Sequence, residues 1–265
     1  MKVLKILLAI VLIGYVVICT ILYLKQESLL FIPTQLDAKH QFNFEQPYEE
    51  INLETPDKVL LNAVLFKSEQ PKGVVFFLHG NAGSIQDWGW GVEYYLEQQW
   101  DILYLDYRGY GKSQGTIKSE QQLIADAQLY YDYLKGRYGE SQIAVSGISI
   151  GTGMAAAIAS QNKPQQLILQ CPYSSLLKLV KENVSFIPNF LVKYQFDTQQ
   201  RLQQVTCPIT IFHGKEDATI PVQHSIDLAA AYPNAKVTLL DGIGHNDIPT
   251  ATVYQQKLRE VLNGN

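Results

Sequence analysis

The pattern of hydrophobic and polar residues changes character at about residue 48 of this chain. Residues 6–24 form one long apolar run without a charge. From residue 48 onward, short apolar runs alternate with longer segments in which apolar residues recur every three or four positions. Short runs of this kind predict buried strands and the longer segments predict amphipathic helices. Their alternation predicts an α/β protein with a mainly parallel sheet covered by helices on both faces.

The first two predicted strands differ from the others in their connection. A turn at Thr55-Pro56-Asp57 joins residues 48–54 to residues 59–66, so the sheet is expected to begin with an antiparallel pair. The remaining strands are predicted at residues 73–79, 101–106, 142–146, 167–170, 209–213 and 236–240. Helices are predicted at residues 84–98, 119–137, 154–159, 222–232 and 250–262.

Residues 172–206 interrupt this alternation. The segment is too long for a simple crossover, is rich in apolar and aromatic residues, and contains Pro188, which breaks any single helix. We expect part of it to pack on the sheet. The rest is predicted to form a small helical cap that supplies apolar walls to a substrate pocket.

The apolar run at residues 6–24 is long enough, at about 1.5 Å per residue, to span a hydrocarbon core roughly 30 Å thick. A cleaved signal peptide is the alternative, but the run ends in Leu22, Tyr23 and Leu24 rather than at a small-residue cleavage site. We predict a signal anchor over residues 1–25, a linker over 26–47 and a catalytic domain over 48–265. Lys2 and Lys5 favour a cytoplasmic N-terminus and an extracytoplasmic domain, periplasmic or extracellular in a bacterium.

Composition narrows the choice of partners. The net charge is −4 and the basic residues are scattered, so no nucleic-acid partner is expected. The three cysteines, Cys19, Cys171 and Cys207, show no zinc-site spacing, and a disulfide between the last two is geometrically poor because they flank opposite ends of successive strands. We therefore expect neither a metal nor an organic cofactor. The oligomeric state is left open.

A serine flanked by glycines stands at the end of one predicted strand. Residues 147–151 read Gly-Ile-Ser-Ile-Gly and precede a helix of small residues. The glycines let the backbone pass close to its neighbours in a sharp turn that holds Ser149 in a strained conformation. Its hydroxyl is then exposed above the N-terminal amides of a helix, which is typical of a nucleophile elbow.

A serine hydroxyl is a weak nucleophile and needs a base. Three histidines follow Ser149 along the chain: His213 within a predicted strand, His224 on a predicted helix, and His245 in a glycine-rich loop after the last strand. A loop at the carboxyl end of the sheet can bring an imidazole to the serine. We therefore predict His245 as the general base.

The base in turn needs a carboxylate to orient it. Glu216 and Asp217 follow the strand at residues 209–213, and Asp217 is the preferred acid. Asp247 is the third candidate. It lies only two residues from His245 and is expected instead to hold its own loop by accepting backbone amides.

The oxyanion of a tetrahedral intermediate needs two N–H donors. One is predicted to be the backbone amide of Ile150, directly after the nucleophile. The other is expected from the loop after the strand at residues 73–79, with Asn81 preferred and Ala82 as the alternative. His79 is predicted to be structural.

Five motifs occur in a characteristic order: HGNAG at 79–83, DYRGYGKS at 106–113, GISIG at 147–151, HGKEDATIP at 213–221 and GIGHND at 242–247. From residue 48 onward the chain thereby resembles the α/β-hydrolase superfamily, and within it the membrane-anchored serine hydrolases with an HGNAG-type loop. The resemblance implies a mostly parallel eight-stranded sheet. The chain departs from the pattern at Ile150, where leucine is common, and at Thr152, where glycine is common.

The predicted function is a serine hydrolase of the EC 3.1 type that cleaves carboxylic esters or thioesters through an acyl-enzyme. Two alternatives are kept: an acyltransferase on the same residues, and a non-enzymatic membrane-tethered binding module. The apolar cap and the membrane helix favour a small-molecule or lipid-like acyl ester as substrate.

Overall fold

An eight-stranded sheet forms the centre of the structure, a computed structural model that describes residues 1–264. The strand order is β10-β9-β8-β7-β4-β6-β3-β2. A separate short parallel pair joins β1 (Ile32–Pro33) to β5 (Ala82–Gly83). The sheet strands are β2 (Tyr48–Glu54), β3 (Leu60–Phe66), β4 (Gly73–Leu78), β6 (Trp100–Leu105), β7 (Ile143–Ile148), β8 (Gln166–Gln170), β9 (Ile209–Gly214) and β10 (Lys236–Leu240).

The sheet is mixed, because β3 runs antiparallel to both of its neighbours, β2 and β6. The other adjacent pairs are parallel. Strands β4, β6, β7, β8 and β9 are buried along their whole length, as expected of parallel strands covered on both faces. The expectation of a mostly parallel sheet with an antiparallel start is thus confirmed.

Nine helices lie among the described residues: α1 (Lys2–Leu30), α2 (Ile85–Trp88), α3 (Glu93–Glu97), α4 (Glu120–Tyr138), α5 (Gly151–Gln161), α6 (Leu176–Asn183), α7 (Thr198–Leu202), α8 (Gln223–Ala231) and α9 (Thr252–Leu262). Helices α4, α5 and α8 bury their apolar residues in the core on one face of the sheet. Helices α3 and α9 do so on the opposite face.

The single helix predicted over residues 84–98 is wrong. The structure has two short helices, α2 and α3, separated by Gly89 and Gly91, and the latter has φ +85°. Glycine adopts this left-handed conformation readily and ends helices. Ser84 is the N-cap of α2, where it forms a capping box with Asp87.

Helix α1 extends to Leu30, five residues beyond the predicted end of the membrane span at residue 25. Among the described residues it is the one helix long and apolar enough to cross a membrane. Its last turn contacts the protein: Glu27 pairs with Lys193 at 3.0 Å and accepts a hydrogen bond from Tyr194. These polar contacts keep the helix ordered beyond the apolar run.

The segment at residues 172–206 contains α6, α7 and a 3-10 turn at Asn189–Leu191. It is fixed to the domain by Glu120, a buried residue of α4. One carboxylate oxygen of Glu120 accepts the backbone N–H groups of Gln195 and Phe196, each at 2.9 Å, and the other pairs with Arg201 at 3.2 Å. The segment therefore has its own helices, a rigid attachment to α4 and contacts with α1.

Candidate active site

Ser149 lies between β7 and α5 in a left-handed backbone conformation, with φ +53°. The flanking glycines make this turn possible. A Cβ on Gly151 would collide with the carbonyl oxygens of Leu78 and His79 in the neighbouring strand, and one on Gly147 would come within 2.8 Å of the Ala155 Cβ. A left-handed non-glycine residue stores backbone strain, and such strain concentrates at functional sites.

Ser149 joins a chain of hydrogen bonds with the predicted base and acid. Its Oγ lies 3.0 Å from Nε2 of His245. The other ring nitrogen of His245, Nδ1, lies 2.6 Å from Oδ2 of Asp217. His245 comes from the loop after β10 and Asp217 from the loop after β9, so three strand ends converge at one edge of the sheet. A proton on Nδ1 leaves Nε2 free to accept the serine hydroxyl proton.

Asp217 is held by more partners than the sequence indicates. Its Oδ1 accepts the backbone N–H groups of Thr219 and Ile220, each at 2.8 Å. Nε2 of His213 lies 3.3 Å from Oδ2. Burial alone would raise the pKa of Asp217, but hydrogen bonds from His213, His245, the Cys171 thiol and the Ile220 amide hold it well below its ordinary value. The carboxylate is therefore ionised and fixed in orientation.

The tautomer of His213 follows from its neighbours. Its Nε2 faces two acceptors, the Ile220 carbonyl at 2.9 Å and the Asp217 carboxylate, so Nε2 carries the proton. Its Nδ1 accepts from the Ser225 hydroxyl at 2.7 Å. His213 is wholly buried, as its place within a strand predicts, yet it supports the acid. Its position at the carboxyl end of β9 is the signal that could have revealed this role.

Cys171 follows β8 directly, in a left-handed conformation with φ +47°. It forms with Asp217 and His245 a cluster whose ligand atoms lie within 4.8 Å of one another. A cation there would compete with the 2.6 Å hydrogen bond between those two residues, so the two arrangements exclude each other. Burial, followed by its contact with Asp217, raises the pKa of the Cys171 thiol well above its ordinary value. The buried thiol is therefore neutral and a poor nucleophile.

The loop after β4 faces the elbow. The backbone amides of Ile150 and Asn81 act as donors in none of the backbone hydrogen bonds described for residues 1–264, so they are available to a ligand. The Asn81 carbonyl is occupied: it accepts the Ile32 amide at 2.8 Å and the Tyr110 hydroxyl at 2.6 Å. These two bonds hold the loop in place.

The other residues considered as base or acid, His224, Glu216 and Asp247, make no hydrogen bond to Ser149 or His245 among the bonds described. His224 binds Ser174 and Glu182 and joins α8 to the segment at residues 172–206. Glu216 is exposed, and Asp247 accepts the Gly244 amide at 3.3 Å within its own loop. Their positions leave Asp217 as the carboxylate that contacts His245.

His79 is buried below the loop rather than directed at the serine. Its Nδ1 lies 2.7 Å from the Gly80 carbonyl and its ring stacks on Trp88. Burial lowers the pKa of His79 to about 4, although hydrogen bonds to Gly80 and the charge of Asp87 act against burial. The imidazole is therefore neutral at physiological pH.

The DYRGYGKS motif at residues 106–113 is held by ion pairs and hydrogen bonds. Arg108 pairs with Asp126 at 2.6 Å and with Asp57 at 2.7 Å. Ser113 donates to the Asp106 carbonyl at 2.6 Å. Together with the Tyr110 contact to Asn81, these bonds make the motif a structural loop.

A cavity of about 350 Å³ lies between α3, α9 and the sheet; it borders the GISIG motif at Ile148, and Ser149 and His245 are not among its lining residues. Ile148 and Gln170, at the ends of β7 and β8, form its base, and Trp88, next to Gly80, forms part of its wall. Aromatic side chains from α3 and α9, Tyr95 and Tyr254, also line it. The Oε1 of Gln170 has no hydrogen-bond partner among the described residues but is closed off from solvent, and Glu93 and Glu97 add carboxylates to the cavity wall.

Known proteins resemble this chain in both sequence and structure. The family model described as "Serine aminopeptidase, S33" matches residues 69–193, which include Ser149. The human α/β hydrolase domain-containing protein 17C is 32% identical over 199 residues, or 71% of this chain and 57% of that protein. An uncharacterized protein, R595, of Acanthamoeba polyphaga mimivirus is 27% identical over 236 residues and 80% of each chain.

Solved structures share the fold at lower identity. The Pyrococcus furiosus esterase Pf2001 superimposes with a TM-score of 0.69 at 20% identity, covering 88% of this chain and 98% of that chain. An α/β hydrolase from Vibrio vulnificus gives 0.66 at 22% identity, covering 82% and 81%. The chain belongs to the α/β-hydrolase superfamily.

This α/β hydrolase spans about three fifths of the length of the 17C proteins that it matches. It spans 61% of the 17C protein of Xenopus tropicalis and 57% of the human protein. The similarity to those relatives therefore concerns the hydrolase domain. It is within this domain that Ser149, Asp217 and His245 lie.

Proposed function

We propose that this α/β hydrolase is a serine hydrolase that cleaves carboxylic esters or thioesters through an acyl-enzyme. The observation that carries the proposal is the hydrogen-bonded series Ser149–His245–Asp217, with distances of 3.0 and 2.6 Å. The strained backbone of Ser149 supports it, because that conformation presents the hydroxyl to a ligand. The similarity to an esterase fold is consistent with this chemistry.

In the proposed mechanism Ser149 Oγ attacks the acyl carbonyl carbon while Nε2 of His245 takes the hydroxyl proton. Asp217 stabilises the resulting imidazolium, and the amides of Ile150 and Asn81 bind the oxyanion. The C–O or C–S bond of the substrate then breaks, and His245 gives its proton to the leaving alcohol or thiol. A water molecule, deprotonated by His245, attacks the acyl-enzyme and releases the acid.

We propose that the cavity between α3, α9 and the sheet, which borders the elbow at Ile148, holds a small apolar part of the substrate. Its aromatic side chains favour apolar groups. No step of the proposed mechanism needs a cofactor.

Helix α1 supports the proposal that the enzyme is a membrane-anchored hydrolase. Its length and composition suit a bilayer span, and its first residues carry Lys2 and Lys5. We propose that the N-terminus is cytoplasmic and the hydrolase domain extracytoplasmic. Protease added to cells or spheroplasts whose cytoplasmic membrane is intact tests this orientation. Digestion of the domain is the expected result, and protection until that membrane is permeabilised would indicate a cytoplasmic domain.

The decisive variant is Ser149→Ala in the full-length chain. Hydrolysis of a short-chain p-nitrophenyl ester is expected to fall at least about a thousandfold, because nucleophile loss removes the acyl-enzyme route. Undiminished hydrolysis by the purified variant would refute the proposal. Thr152→Ser provides a matched control, because it retains a hydroxyl three residues away that bonds the Ser149 carbonyl.

A substrate panel separates the related activities. Esters of graded chain length, matching thioesters and an aminoacyl amide distinguish an esterase from a thioesterase and from the aminopeptidase for which the matching family model is named. Product analysis with an added acceptor alcohol detects acyltransfer. A binding module without catalytic activity would not react with a fluorophosphonate probe.

A further inference from the structure

A loop beside helix α1 exposes large apolar side chains. We call residues 184–192, which follow α6 and include the 3-10 turn, the cap tip. Phe186 is 52% exposed and Phe190 is 82% exposed. The sequence has no charged residue between Glu182 and Lys193. An exposed apolar loop of this kind marks an interaction site with an apolar partner.

The cap tip lies alongside the part of α1 that suits the interior of a membrane. The Tyr15 hydroxyl donates to the Phe186 carbonyl at 3.0 Å, and the Gln26 amide donates to the Leu191 carbonyl at 2.7 Å. Tyr15 is nine residues from Leu24, the last residue of the uncharged run, which corresponds to about 14 Å along a helix. The cap tip therefore reaches from the polar end of α1 to the middle of its apolar run.

Charged and aromatic side chains mark the polar end. Lys193, directly after the cap tip, pairs with Glu27 at 3.0 Å, and its ammonium lies 4.4 Å from the centre of the Tyr23 ring. Tyrosine and lysine are typical of the boundary between hydrocarbon and water. Along the axis of α1, the helix and the cap tip therefore change from apolar to charged residues at the same position.

Most of the backbone carbonyl groups of the cap tip have hydrogen-bond donors within the protein. Seven successive or nearly successive carbonyl groups accept hydrogen bonds from within the protein. Side chains supply several of these donors: Lys181 binds two carbonyls at 2.6 Å each, and Tyr15 and Gln26 bind one each. The carbonyls are those of Val184, Ser185, Phe186, Ile187, Pro188, Asn189 and Leu191. Loops in water leave such groups to solvent, whereas a bilayer requires that the protein satisfy them.

We propose that the cap tip is embedded in the hydrocarbon layer of the membrane beside α1, with lipid acyl chains as its partner. The domain is then held at the membrane by two apolar elements rather than by one tether. Because β1 follows α1 almost directly and pairs with the loop that contains Asn81, this placement brings Ser149 close to the lipid–water boundary.

Site-specific fluorescence tests the proposal in the full-length chain reconstituted in phosphatidylcholine vesicles. Phe190→Cys is introduced into a Cys19→Ala/Cys207→Ala background, where the wholly buried Cys171 is protected, and is labelled with an NBD dye. We expect blue-shifted emission, quenching by doxyl-labelled phospholipids and little quenching by aqueous iodide. Glu69→Cys in the same background is the matched control, since Glu69 is exposed and precedes β4 at the opposite end of the sheet.

The expected control result is the reverse: iodide quenches the dye at position 69 and doxyl lipids do not. The proposal is overturned if the dye at position 190 behaves like the control, or if it is shielded from iodide without doxyl quenching, which would indicate a protein partner. Phe186→Cys provides a second probe if the first labelled variant unfolds, as judged by circular dichroism. None of these measurements needs catalysis, so they succeed or fail independently of the proposed hydrolase activity.

Discussion

The backbone N–H of Ile32 donates to the carbonyl of Asn81 at 2.8 Å, and this bond connects the end of helix α1 to the loop proposed to bind the oxyanion. The Thr34 amide binds the Gly83 carbonyl in the same way, also at 2.8 Å. Phe31, between the helix and this strand, is buried against Tyr194. The residues that follow the helix, predicted as a linker, therefore pack against the loop that contains Asn81.

Ile32→Pro removes this N–H without a large change in packing, because the Ile32 side chain is 54% exposed. Phe31 already has the extended backbone, φ −122° and ψ +117°, that a following proline requires. We expect kcat for a soluble ester to fall about tenfold to a hundredfold with little change in KM, because the misplaced Asn81 amide stabilises the transition state less.

Ile32→Val is the matched control, because it keeps the N–H and should retain the wild-type kcat. Thermal unfolding of both variants shows whether the fold is intact, since a single hydrogen bond contributes only about 1 kcal/mol to stability. Equal kcat values for the proline and valine variants would contradict a positioning role for this strand.

The three proposed catalytic residues should act as one unit. Ser149→Ala, His245→Ala and Asp217→Asn are each expected to lower kcat by orders of magnitude, and the Ser149→Ala/His245→Ala double variant should be about as slow as Ser149→Ala alone. Steady-state kinetics of the single and double variants measure this. Losses that multiply would show that the serine and the histidine act independently.

Cys171 offers a test of which side chain is the nucleophile, because it lies beside the same histidine and aspartate. Burial raises the pKa of its thiol, so we expect no alkylation of Cys171 by iodoacetamide in the native protein at about pH 8. Mass spectrometry of native and unfolded samples locates the modified cysteines. Stoichiometric native modification of Cys171 with loss of activity would point to a thiol nucleophile instead.

Asp106 makes stability depend on pH. Burial raises its pKa to about 8 from 3.8, the nearby charge of Asp87 acts in the same direction, and the hydrogen bond from the Ile85 amide opposes them. Between these values the folded protein holds a proton that the unfolded chain has released, so stability falls as pH rises through this window. From about pH 6 to about pH 9 we expect the Tm of the wild type to fall relative to that of Asp106→Asn.

Differential scanning fluorimetry of the two proteins across this range provides the measurement. Asparagine keeps the oxygen that accepts the Ile85 N–H at 2.9 Å, so the comparison isolates the ionisation. A Tm difference that does not change with pH would show that residue 106 keeps the same protonation state throughout.

Local sequence patterns predicted the fold well where one physical requirement dominated. Continuous apolar runs located the buried strands, and the glycines around Ser149 located the turn, because only small residues fit between Leu78 and the elbow. The positions of Asp217 and His245, each in a loop after a late predicted strand, also allowed their roles to be predicted. Their convergence depends on where β9 and β10 end, which an α/β alternation already implies.

Features that depend on one residue's backbone conformation or on long-range contacts were not predictable in this way. The helix break at Gly91 depends on one left-handed residue within an otherwise helical pattern. The extension of α1 to Leu30 depends on Lys193 and Tyr194, more than 160 residues away. The support of Asp217 by His213 likewise needs the loop after β9 to fold back on its own strand.

The central claim is that Ser149 is an activated nucleophile, and reaction of the full-length chain with a fluorophosphonate probe tests it most directly. The account predicts one covalent adduct per chain, located on Ser149 by peptide mass spectrometry. The adduct should be absent from Ser149→Ala and strongly slowed in His245→Ala. A folded wild-type protein that stays unlabelled, or a label that persists in Ser149→Ala, would contradict it.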